Sequence, residues 1–371
     1  MDPVTLQTDG LILRPWEATD ADEQMLDACN DPLIQRFMPQ FPDPYTQETS
    51  QWWVTEGAPL AWQSGGASFT IREPGTDRLL GGMGLGSVQP SRKQGEVGYW
   101  IAPWARGRGV ATKATRALAQ WAFDHDFYRL ELLVAKENPG SIRVALAAGF
   151  GREGVRRDGG ATRDGGRQDL VVFVRLAGDP AGPAPRLLPD FPGGKLSDGV
   201  VEVRRLTPSD ADDYYSLNQF EEVIRTHIGE PITRELAAQR CARAEYGWLS
   251  GEAAQCAIVD AASGAFAGDI QLLYRHPFSK EAMIGYSLRP EFRGKGYMTR
   301  AVNLITDWAF DKVGAIRVIA GTFDYNDASR AVLLRAGFER EGHFKAALPG
   351  RDGTRIDDIQ FVRISPLVNP S

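Results

Sequence analysis

The chain is poor in cysteine, in histidine and in long apolar runs. Its 371 residues include 3 cysteines and 4 histidines at spacings that suit no metal site, so we expect free thiols in a reducing cytoplasm and no bound metal. No apolar stretch reaches the about 18 residues of a membrane helix. The first residues lack a basic segment followed by an apolar one, so we expect neither a secretory leader nor a membrane partner.

The chain also lacks an excess of positive charge. Its 42 lysines and arginines face 48 acidic residues, and the two signs are mixed along the sequence. This composition is not typical of a broad nucleic-acid surface. The length suits two domains, since one domain typically has about 100–150 residues, and the 43% of hydrophobic residues is enough for two cores.

Two short runs rich in glycine and basic residues recur about 187 residues apart: Arg106–Ala111 and Arg293–Met298. Further segments recur at nearly the same offset: Trp121–Asp124 with Trp308–Asp311, Asn138–Arg143 with Asn326–Ala331, Ala148–Phe150 with Ala336–Phe338, and Phe173–Leu176 with Phe361–Ile364. A period this long indicates a duplicated domain rather than a solenoid.

The duplication predicts two domains, residues 1–177 and 197–371, joined by a linker at residues 178–196. This segment is dense in proline and glycine, which disfavour helices and central strands and leave an extended connector. Leu187, Leu188 and Phe191 within it would suit a segment that lies along a surface, and a plain linker is the alternative.

Each copy begins with strand-like segments and continues with alternating strands and helices, which predicts a mixed α/β (α+β) domain. The predicted strands of the first copy are residues 11–14, 68–72, 79–85, 95–101, 130–134 and 170–176. Its predicted helices are residues 20–29, 46–55 and 141–148, together with a helix that begins near Val110. In that last helix the apolar residues recur at helical spacing and predict a core-facing side.

Each glycine run lies between a predicted strand and a predicted helix. Glycines allow backbone N–H groups to turn inward, and a helix start adds partial positive charge, so the context predicts a phosphate site. Arg106 and Arg108 could add charge-assisted hydrogen bonds. An ordinary turn is the alternative for one such run, and its recurrence in the same context favours the phosphate site.

Three motifs, complete in the first copy and met in part by the second, give the chain a family resemblance. Arg106, Gly109 and Ala111 fit an Arg/Gln-x-x-Gly-x-Gly/Ala loop, Glu96–Trp100 a Glu-Val-Gly-Tyr-Trp strand, and Asn138 with Ser141 an Asn-x-x-Ser motif before Ala-Gly-Phe. Each copy thereby resembles the GCN5-related N-acetyltransferases (GNAT), most closely the RimJ/RimL-like branch. The resemblance implies two GNAT domains in tandem, each a mostly antiparallel, splayed sheet flanked by helices.

The resemblance also implies the donor, which is acetyl-CoA or another acyl-CoA, and the residues that bind it. In such proteins the glycine loop holds the pyrophosphate, and the pantetheine arm lies between two splayed strands, here Tyr99–Ala102 and Leu130–Val134. The donor-binding residues implied for the first copy are Tyr99, Trp100, Ile101, Arg106, Gly107, Arg108, Gly109, Val110, Ala111 and Asn138. Those implied for the second copy are Ser287, Leu288, Arg293, Gly294, Lys295, Gly296, Tyr297, Met298 and Asn326.

Transfer to an amine needs a base, because an alkylammonium has no free lone pair. Glu96 matches the position where the RimJ/RimL-like branch often places a carboxylate, and a solvated strand glutamate is the alternative. The second copy has Met283 at the matching position, which leaves its base in doubt, and its nearest carboxylate is Glu281.

The departing thiolate needs a proton donor. The tyrosine that many GNAT enzymes use is replaced by Leu146 and Leu334. The RimJ/RimL-like branch uses the serine of Asn-x-x-Ser, which implies catalytic roles for Ser141 and Ser329. The alternative is that each serine caps the following helix.

The sequence leaves the acceptor open between a small-molecule amine and a protein N-terminus. The front helices carry the aromatic residues expected on the acceptor side: Trp52, Trp53 and Trp62 in the first copy, and Tyr214, Tyr215 and His227 in the second. Two rival functions remain: aminoacyl transfer from tRNA on the same fold, and a non-catalytic acyl-CoA-binding module. The duplication suits a monomer with an internal pseudo-dimer, and a homodimer is the alternative.

Overall fold

A computed structural model describes residues 1–226, 231–350, 353–366 and 368. The chain divides into two compact units, Met1–Pro185 and Arg186–Ser371. The boundary falls within segment 178–196, whose role as a linker stays a prediction. Leu188 and Phe191 of this segment are buried in the core of the second unit, while Leu187 is exposed.

The first unit is built on one eight-stranded sheet with the strand order β1-β2-β3-β4-β5-β6-β8-β7. Its strands are β1 (Leu6–Thr8), β2 (Leu11–Pro15), β3 (Ala67–Arg72), β4 (Leu79–Gln89), β5 (Gln94–Ile101), β6 (Arg129–Ala135), β7 (Gly151–Ala161) and β8 (Arg167–Leu176). Its helices are α1 (Glu23–Cys29), α2 (Pro32–Phe37), α3 (Gln47–Trp52), α4 (Ala58–Gln63), α5 (Val110–Asp124) and α6 (Pro139–Ala147).

The second unit repeats this sheet, again with eight strands among the described residues. Its strands are β9 (Lys195–Ser197), β10 (Val201–Arg205), β11 (Ala254–Asp260), β12 (Phe266–His276), β13 (Glu281–Leu288), β14 (Arg317–Phe323), β15 (Glu339–Pro349) and β16 (Arg355–Ile364). Its helices are α7 (Ala211–Leu217), α8 (Glu221–Arg225), α9 (Arg234–Leu249), α10 (Tyr297–Trp308) and α11 (Asp327–Arg335).

Each sheet opens between its two central parallel strands. β5 and β6 pair only from Gln94–Arg129 to Glu96–Glu131, although both strands continue beyond this point. β13 and β14 pair in the same way over three residues, and the other neighbours in both sheets are antiparallel. The predicted mixed α/β class with splayed, mostly antiparallel sheets is therefore confirmed.

Local sequence explains where the main helices begin. Asp22, Thr46 and Thr233 accept a backbone hydrogen bond from the first turn of α1, α3 and α9, as N-caps do. The helix predicted from residue 20 therefore starts at Glu23, because Asp22 caps it. Within the described residues, no helix is both long and apolar enough to cross a bilayer.

Both faces of each sheet are covered. In the second unit, one face packs Ile284, Val302 and Phe338 into a core with α10, and the opposite face packs Ala257 and Val259 against α7 and α9. Because side chains alternate along a strand, successive residues of β13 serve different faces. This alternation decides which side chains of the strand face the helices α7 to α9.

Candidate active site

The two glycine loops have the same backbone conformation. Gly107 and Gly109 have φ of 73° and 75°, and Gly294 and Gly296 have φ of 73° and 78°. A Cβ at any of the four positions would meet no atom within 4 Å. Glycine is therefore required by the left-handed backbone rather than by lack of space.

Each loop delivers the backbone to the start of a long helix. Gly109 is the N-cap of α5 and Gly296 the N-cap of α10, and neither helix has a side-chain cap. The first backbone hydrogen bond of α5 runs from the Lys113 N–H to the Gly109 carbonyl. The N–H groups of residues 110–112 come before it and have no acceptor within the helix. The side chains of Val110 and Met298 are buried in the core. What these residues can offer an anion is therefore their backbone N–H groups at the helix start.

The basic side chains of the loops are held by protein groups. Arg106 donates to Asp31 at 2.5 Å and to the Ile101 carbonyl at 3.3 Å. Arg108 donates to Glu73 at 2.6 Å. In the second unit Arg293 donates to the Leu288 carbonyl, and the Lys295 ammonium lies 5.9 Å from the centre of the Phe292 ring. In both units the loop arginine thus donates a hydrogen bond to a backbone carbonyl at the end of the preceding strand.

The serines predicted to be catalytic meet a tyrosine from the splayed strand. The Ser141 hydroxyl lies 2.7 Å from the Tyr99 hydroxyl, and the Ser329 hydroxyl lies 2.9 Å from the Tyr286 hydroxyl. Burial raises the pKa of Tyr286 to about 12 and also raises that of Tyr99. Both phenols therefore stay protonated at neutral pH and can donate to the serine oxygen.

The asparagines, not the serines, cap the helices behind them. The Oδ1 atom of Asn138 accepts from the Ser141 N–H, and that of Asn326 accepts from the Ser329 N–H, both at 3.1 Å. The alternative that each serine is the helix cap is therefore wrong. Each asparagine fixes the first turn, and the serine hydroxyl is left to meet the tyrosine.

Glu96 lies where β5 and β6 separate. It is opposite Glu131 in the last parallel pair. Burial raises the pKa of Glu96, and the neighbouring charge of Arg156 and a hydrogen bond from Ser87 offset part of this rise. Glu131 is bound by Arg129 at 2.8 Å and by Arg156 at 2.5 Å, which leaves Glu96 as the carboxylate with a raised pKa at this opening.

The second unit has no equivalent of Glu96 at its opening. Met283 occupies the matching register position, opposite Ile319. Glu281, two residues earlier, forms an ion pair with Arg317 at 3.0 Å, and Arg317 also binds Glu341 at 2.9 Å. The carboxylate nearest in sequence is therefore engaged in a structural ion pair.

The predicted residues of the second unit surround one cleft of about 810 Å³. All of them, from Ser287 to Ser329, lie on its walls except Lys295, and Tyr286 joins them. The strand end, the glycine loop and the start of α11 therefore meet in a single space. The described residues contain no group of three or more side chains suited to hold a metal.

The three predicted strand residues of the first unit do not share a face. Tyr99 points toward Ser141, whereas Trp100 stacks on Trp16 with ring centres 6.4 Å apart. Ile101 lies with Tyr99, because side chains alternate along β5. A donor between the strands would therefore meet the backbone of all three residues and the side chains of only two.

The aromatic rim is smaller than the sequence predicted. Trp52 is exposed and Trp53 is half-buried, but Trp62 is 3% exposed and packs edge-on against Phe69 and Trp121. Trp62 is a core residue, so its predicted place on the acceptor side is wrong. In the second unit Tyr214 is buried and Tyr215 is half-buried, and His227 lies outside the described residues.

Two site residues were missed from the sequence. Tyr286 could have been found, because Gly285-Tyr286 repeats Gly98-Tyr99 at the offset of the duplication. Asp31, which binds Arg106, gave no such signal because the two residues are brought together only by folding.

Comparisons with known proteins agree with this geometry. A family model described as the acetyltransferase (GNAT) domain matches residues 10–151 and again residues 201–339. The probable N-acetyltransferase YjcK of Bacillus subtilis (strain 168) is 31% identical over 151 residues, 40% of this chain and 83% of that protein. The ribosomal-protein-serine acetyltransferase of Escherichia coli (strain K12) is 29% identical over 101 residues, 27% of this chain and 56% of that protein.

A solved structure shows a similar partial match. The ribosomal-protein-S5-alanine acetyltransferase from Vibrio fischeri is 27% identical, with a TM-score of 0.42, and the match covers 46% of this chain and 96% of that one.

Two mixed α/β units, each with an opened pair of parallel strands beside a glycine loop, define the class of fold that the family model describes. The chain belongs to the GNAT acetyltransferase family and carries two of its domains in tandem. The predicted family and the predicted enzyme class, an N-acetyltransferase, are thereby confirmed.

Proposed function

We propose that the first unit transfers an acetyl group from acetyl-CoA to a primary amine, with Glu96 as base and Ser141 as proton donor. The observation that carries this proposal is the position of Glu96 at the point where β5 and β6 separate. The opening between the strands admits the thioester, and the carboxylate stands at its start. The acceptor is the amino group of a small molecule or of a protein N-terminus.

The donor's charged end is bound by backbone. The N–H groups around Gly107 and Gly109 and at the start of α5 would receive the pyrophosphate, which suits a helix N-terminus. Arg106 and Arg108 are held by Asp31 and Glu73, so these carboxylates position the arginines beside the loop. Net attraction for phosphate then comes chiefly from the helix start.

Glu96 prepares the amine. At pH 7, freeing the lone pair of an alkylammonium with a pKa of about 10 costs ~4 kcal/mol. A carboxylate with a raised pKa is a better proton acceptor than an ordinary glutamate. Glu96 takes a proton from the ammonium, directly or through water, and the free amine attacks the thioester carbon.

Ser141 completes the reaction. Collapse of the tetrahedral intermediate breaks the carbon–sulfur bond and leaves a thiolate, which takes the serine hydroxyl proton. Tyr99, protonated and 2.7 Å away, donates a hydrogen bond to the serine oxygen and stabilises its developing charge. The nitrogen carries one further proton after attack, and this proton replaces the one that the serine gave up. Glu96 releases the proton that it took to solvent, so the products are the amide and CoA as its thiol.

The second unit keeps the donor side but not the base. Its loop, Asn326, Ser329 and Tyr286 line one cleft. Met283 cannot accept a proton, and Glu281 is paired with Arg317. We therefore assign acetyl-CoA binding to both units and the faster transfer to the first.

The decisive experiment follows CoA release from acetyl-CoA with a panel of primary amines and peptides. Glu96→Gln should lower kcat/KM about 100-fold at pH 7, the usual order for a lost general base. Because the pKa of Glu96 is raised, the wild-type rate should fall with decreasing pH through a value above the ordinary 4.3 or so of a glutamate. The variant should lack this fall and recover activity as the pH approaches the pKa of the amine.

Glu281→Gln is the matched control, since it removes a strand carboxylate from the other unit, and it should leave turnover unchanged. Equal turnover of wild type and Glu96→Gln would disprove the role of Glu96. Mass spectrometry of the purified protein should find CoA or acetyl-CoA, and binding of neither would contradict the whole proposal.

A further inference from the structure

The two units differ on the face of the sheet that α1 to α4 cover in the first and α7 to α9 in the second. The residues of β4 on this face are Gly82, Gly84 and Gly86. The residues of β12 at the matching positions are Asp269, Gln271 and Leu273. Three glycines in the first unit thus stand where the second has a carboxylate, an amide and an apolar chain.

In the first unit this face is bare backbone beside Glu96. A Cβ at Gly86 or Gly98 would meet no atom within 4 Å. At Gly82 a Cβ would lie 2.7 Å from Nε1 of Trp100 and 3.0 Å from the Trp16 ring, so the two indoles rest on this glycine. The groove of the first unit is therefore open near the base and closed by aromatic rings at its far end.

In the second unit polar side chains fill the same face. A Cβ at Gly285 would lie 3.2 Å from Nε2 of Gln271, so the amide extends over β13. Asp269 is opposite Ser287 on one side and Ala257 on the other, and Ala257 packs against α7 and α9. The Asp269 carboxylate therefore faces these helices, where it is half-buried.

Asp269 is not satisfied by the protein around it. Arg240 is the nearby cation, and its guanidinium donates to the Tyr214 hydroxyl at 2.6 Å. The carboxylate accepts a hydrogen bond from its own backbone N–H, but among the residues that the structure describes no side chain donates to it or forms an ion pair with it. A half-buried carboxylate that has lost part of its hydration is costly without a paired cation.

Electrostatics agrees with this geometry. Burial raises the pKa of Asp269 to about 7, and the charge of Arg240 offsets only part of the rise. A positively charged ligand would stabilise the ionised form and recover the cost of burial. The matching residue of the first unit, Gly82, offers no charge.

We propose that Asp269, with Gln271 beside it, is a binding site in the second unit for a positively charged nitrogen of the acceptor. The proposal rests on the proposed function, which makes this face the acceptor side. Ser287, opposite Asp269, is four residues along β13 from Met283, which is ~13 Å of strand. The bound nitrogen is therefore a second one, on the order of 10 Å from the amine beside the thioester.

This assigns different acceptors to the two units. The second takes a di- or polyamine, or another acceptor with two separated cations, and the first takes an acceptor that lies over bare backbone and ends against aromatic rings. Asp269 acts in recognition and is not assigned a proton transfer.

The test is calorimetric titration of the full chain, saturated with CoA, with three probes: 1,8-diaminooctane, 8-amino-1-octanol and 1,3-diaminopropane. The long diamine should bind about tenfold more tightly than the amino alcohol or the short diamine. Asp269→Asn, which keeps the shape, should abolish this preference, and Asp269→Glu should retain part of it. Asp311→Asn, which neutralises an exposed carboxylate of the same unit, is the matched control and should retain all of it.

Equal binding of the long diamine and the amino alcohol, or an Asp269→Asn variant within twofold of wild type, would overturn the proposal. Thermal unfolding of each variant shows whether it is folded. If Asp269→Asn does not fold, the partial preference of Asp269→Glu for the long diamine becomes the test. A chain that binds no CoA would contradict the proposed function instead, and the amine titrations without CoA would still report on Asp269.

Discussion

At the scale of single residues, a tyrosine hydroxyl lies within hydrogen-bond distance of the serine hydroxyl in each unit. The hydroxyls of Tyr99 and Ser141 come from positions 42 residues apart and meet at 2.7 Å. Tyr286 and Ser329 repeat the contact at 2.9 Å. Because both phenols remain protonated, each serine can receive a hydrogen bond and keep its own proton for the cleft. Tyr99 is thus a positioning residue, and Ser141 is the proposed proton donor.

Removal of the Tyr99 hydroxyl should slow transfer more than it weakens donor binding. A hydrogen bond of this kind contributes about 0.5–1.5 kcal/mol, so Tyr99→Phe should lower kcat up to about tenfold while KM for acetyl-CoA changes little. Steady-state kinetics with the best amine of the panel would measure this. Tyr128→Phe, which alters an exposed tyrosine, is the control. A large rise in KM with unchanged kcat would mean that Tyr99 only binds the donor.

At the scale of elements, the same ion pair ties the second strand of each unit to the helical turn that follows. Arg14 binds Asp20 through two hydrogen bonds of 2.8 Å, and Arg204 binds Asp210 at 2.8 and 2.7 Å. Both carboxylates are nearly buried. Burial alone would raise the pKa of Asp210, but Arg204 and Thr207 hold it below its ordinary value.

Loss of this pair should destabilise the second unit. Asp210→Asn removes the charge that Arg204 pairs with, and because the Arg204 side chain is 34% exposed, the loss should cost about 1.5–3 kcal/mol of unfolding free energy. Urea unfolding would measure the loss. Since the pKa of Asp210 is lowered in the folded chain, the contribution is present above the unfolded pKa of about 3.9 and is lost as the pH falls through the lower folded value. The variant should therefore differ from wild type less in acid than at pH 7.

Asp307→Asn is the control for this prediction, because the pair of Asp307 with Arg363 lies at the surface. Its expected cost is below about 1 kcal/mol. Equal destabilisation by the two variants would show that the buried pair has no special role.

At the scale of the whole molecule, the chain repeats one fold and varies the face of the sheet that the proposed function gives to the acceptor. Loop angles, serine contacts and strand register agree between the units. On that face Glu96 of the first unit matches Met283 of the second, and Gly82 matches Asp269. A duplicated domain that keeps its donor side can thus diverge in substrate.

The number of CoA molecules bound should equal the number of intact glycine loops. Wild type should bind two equivalents of CoA in a calorimetric titration, and either Gly109→Val or Gly296→Val should bind about one. A β-branched residue is strained at these positive φ values and would displace the N–H groups. The double variant should bind none at the same concentrations.

Gly10→Val and Gly199→Val are matched controls. Both glycines have positive φ and open space around their Cβ positions, so the variants carry the same strain in turns outside the glycine loops. Each control should keep both equivalents. Two equivalents in Gly109→Val as well would place the binding site of the first unit elsewhere.

Much of the fold was predictable because it depends on short-range patterns. The helices after the glycine loops and the strands around them follow from apolar periodicity and turn residues. Strand β7 was missed, because nearly all its residues are exposed and it is a strand only by pairing with β8. Helix α2 was missed because six residues carry too little periodicity.

The candidate site was predicted less completely. The alternative that each serine caps its helix was wrong, and it arose because asparagine and serine both favour that position. The place of Trp62 was also wrong, because an aromatic residue suits a rim as well as a core. The cap is decided by a local contact between the Ser141 N–H and Asn138 Oδ1, whereas the place of Trp62 is decided by packing against Trp121, which is distant in sequence.

The sequence by itself determined the duplication, the glycine loops, the family and the loss of a carboxylate at Met283. All of these are read from residues close together or at one fixed offset. Only the tertiary structure decided that Tyr99 meets Ser141, that Glu281 is held by Arg317, and that Asp269 faces α7 and α9. The physical reason is that register and the alternation of strand faces fix these contacts, and both depend on pairing between strands distant in sequence.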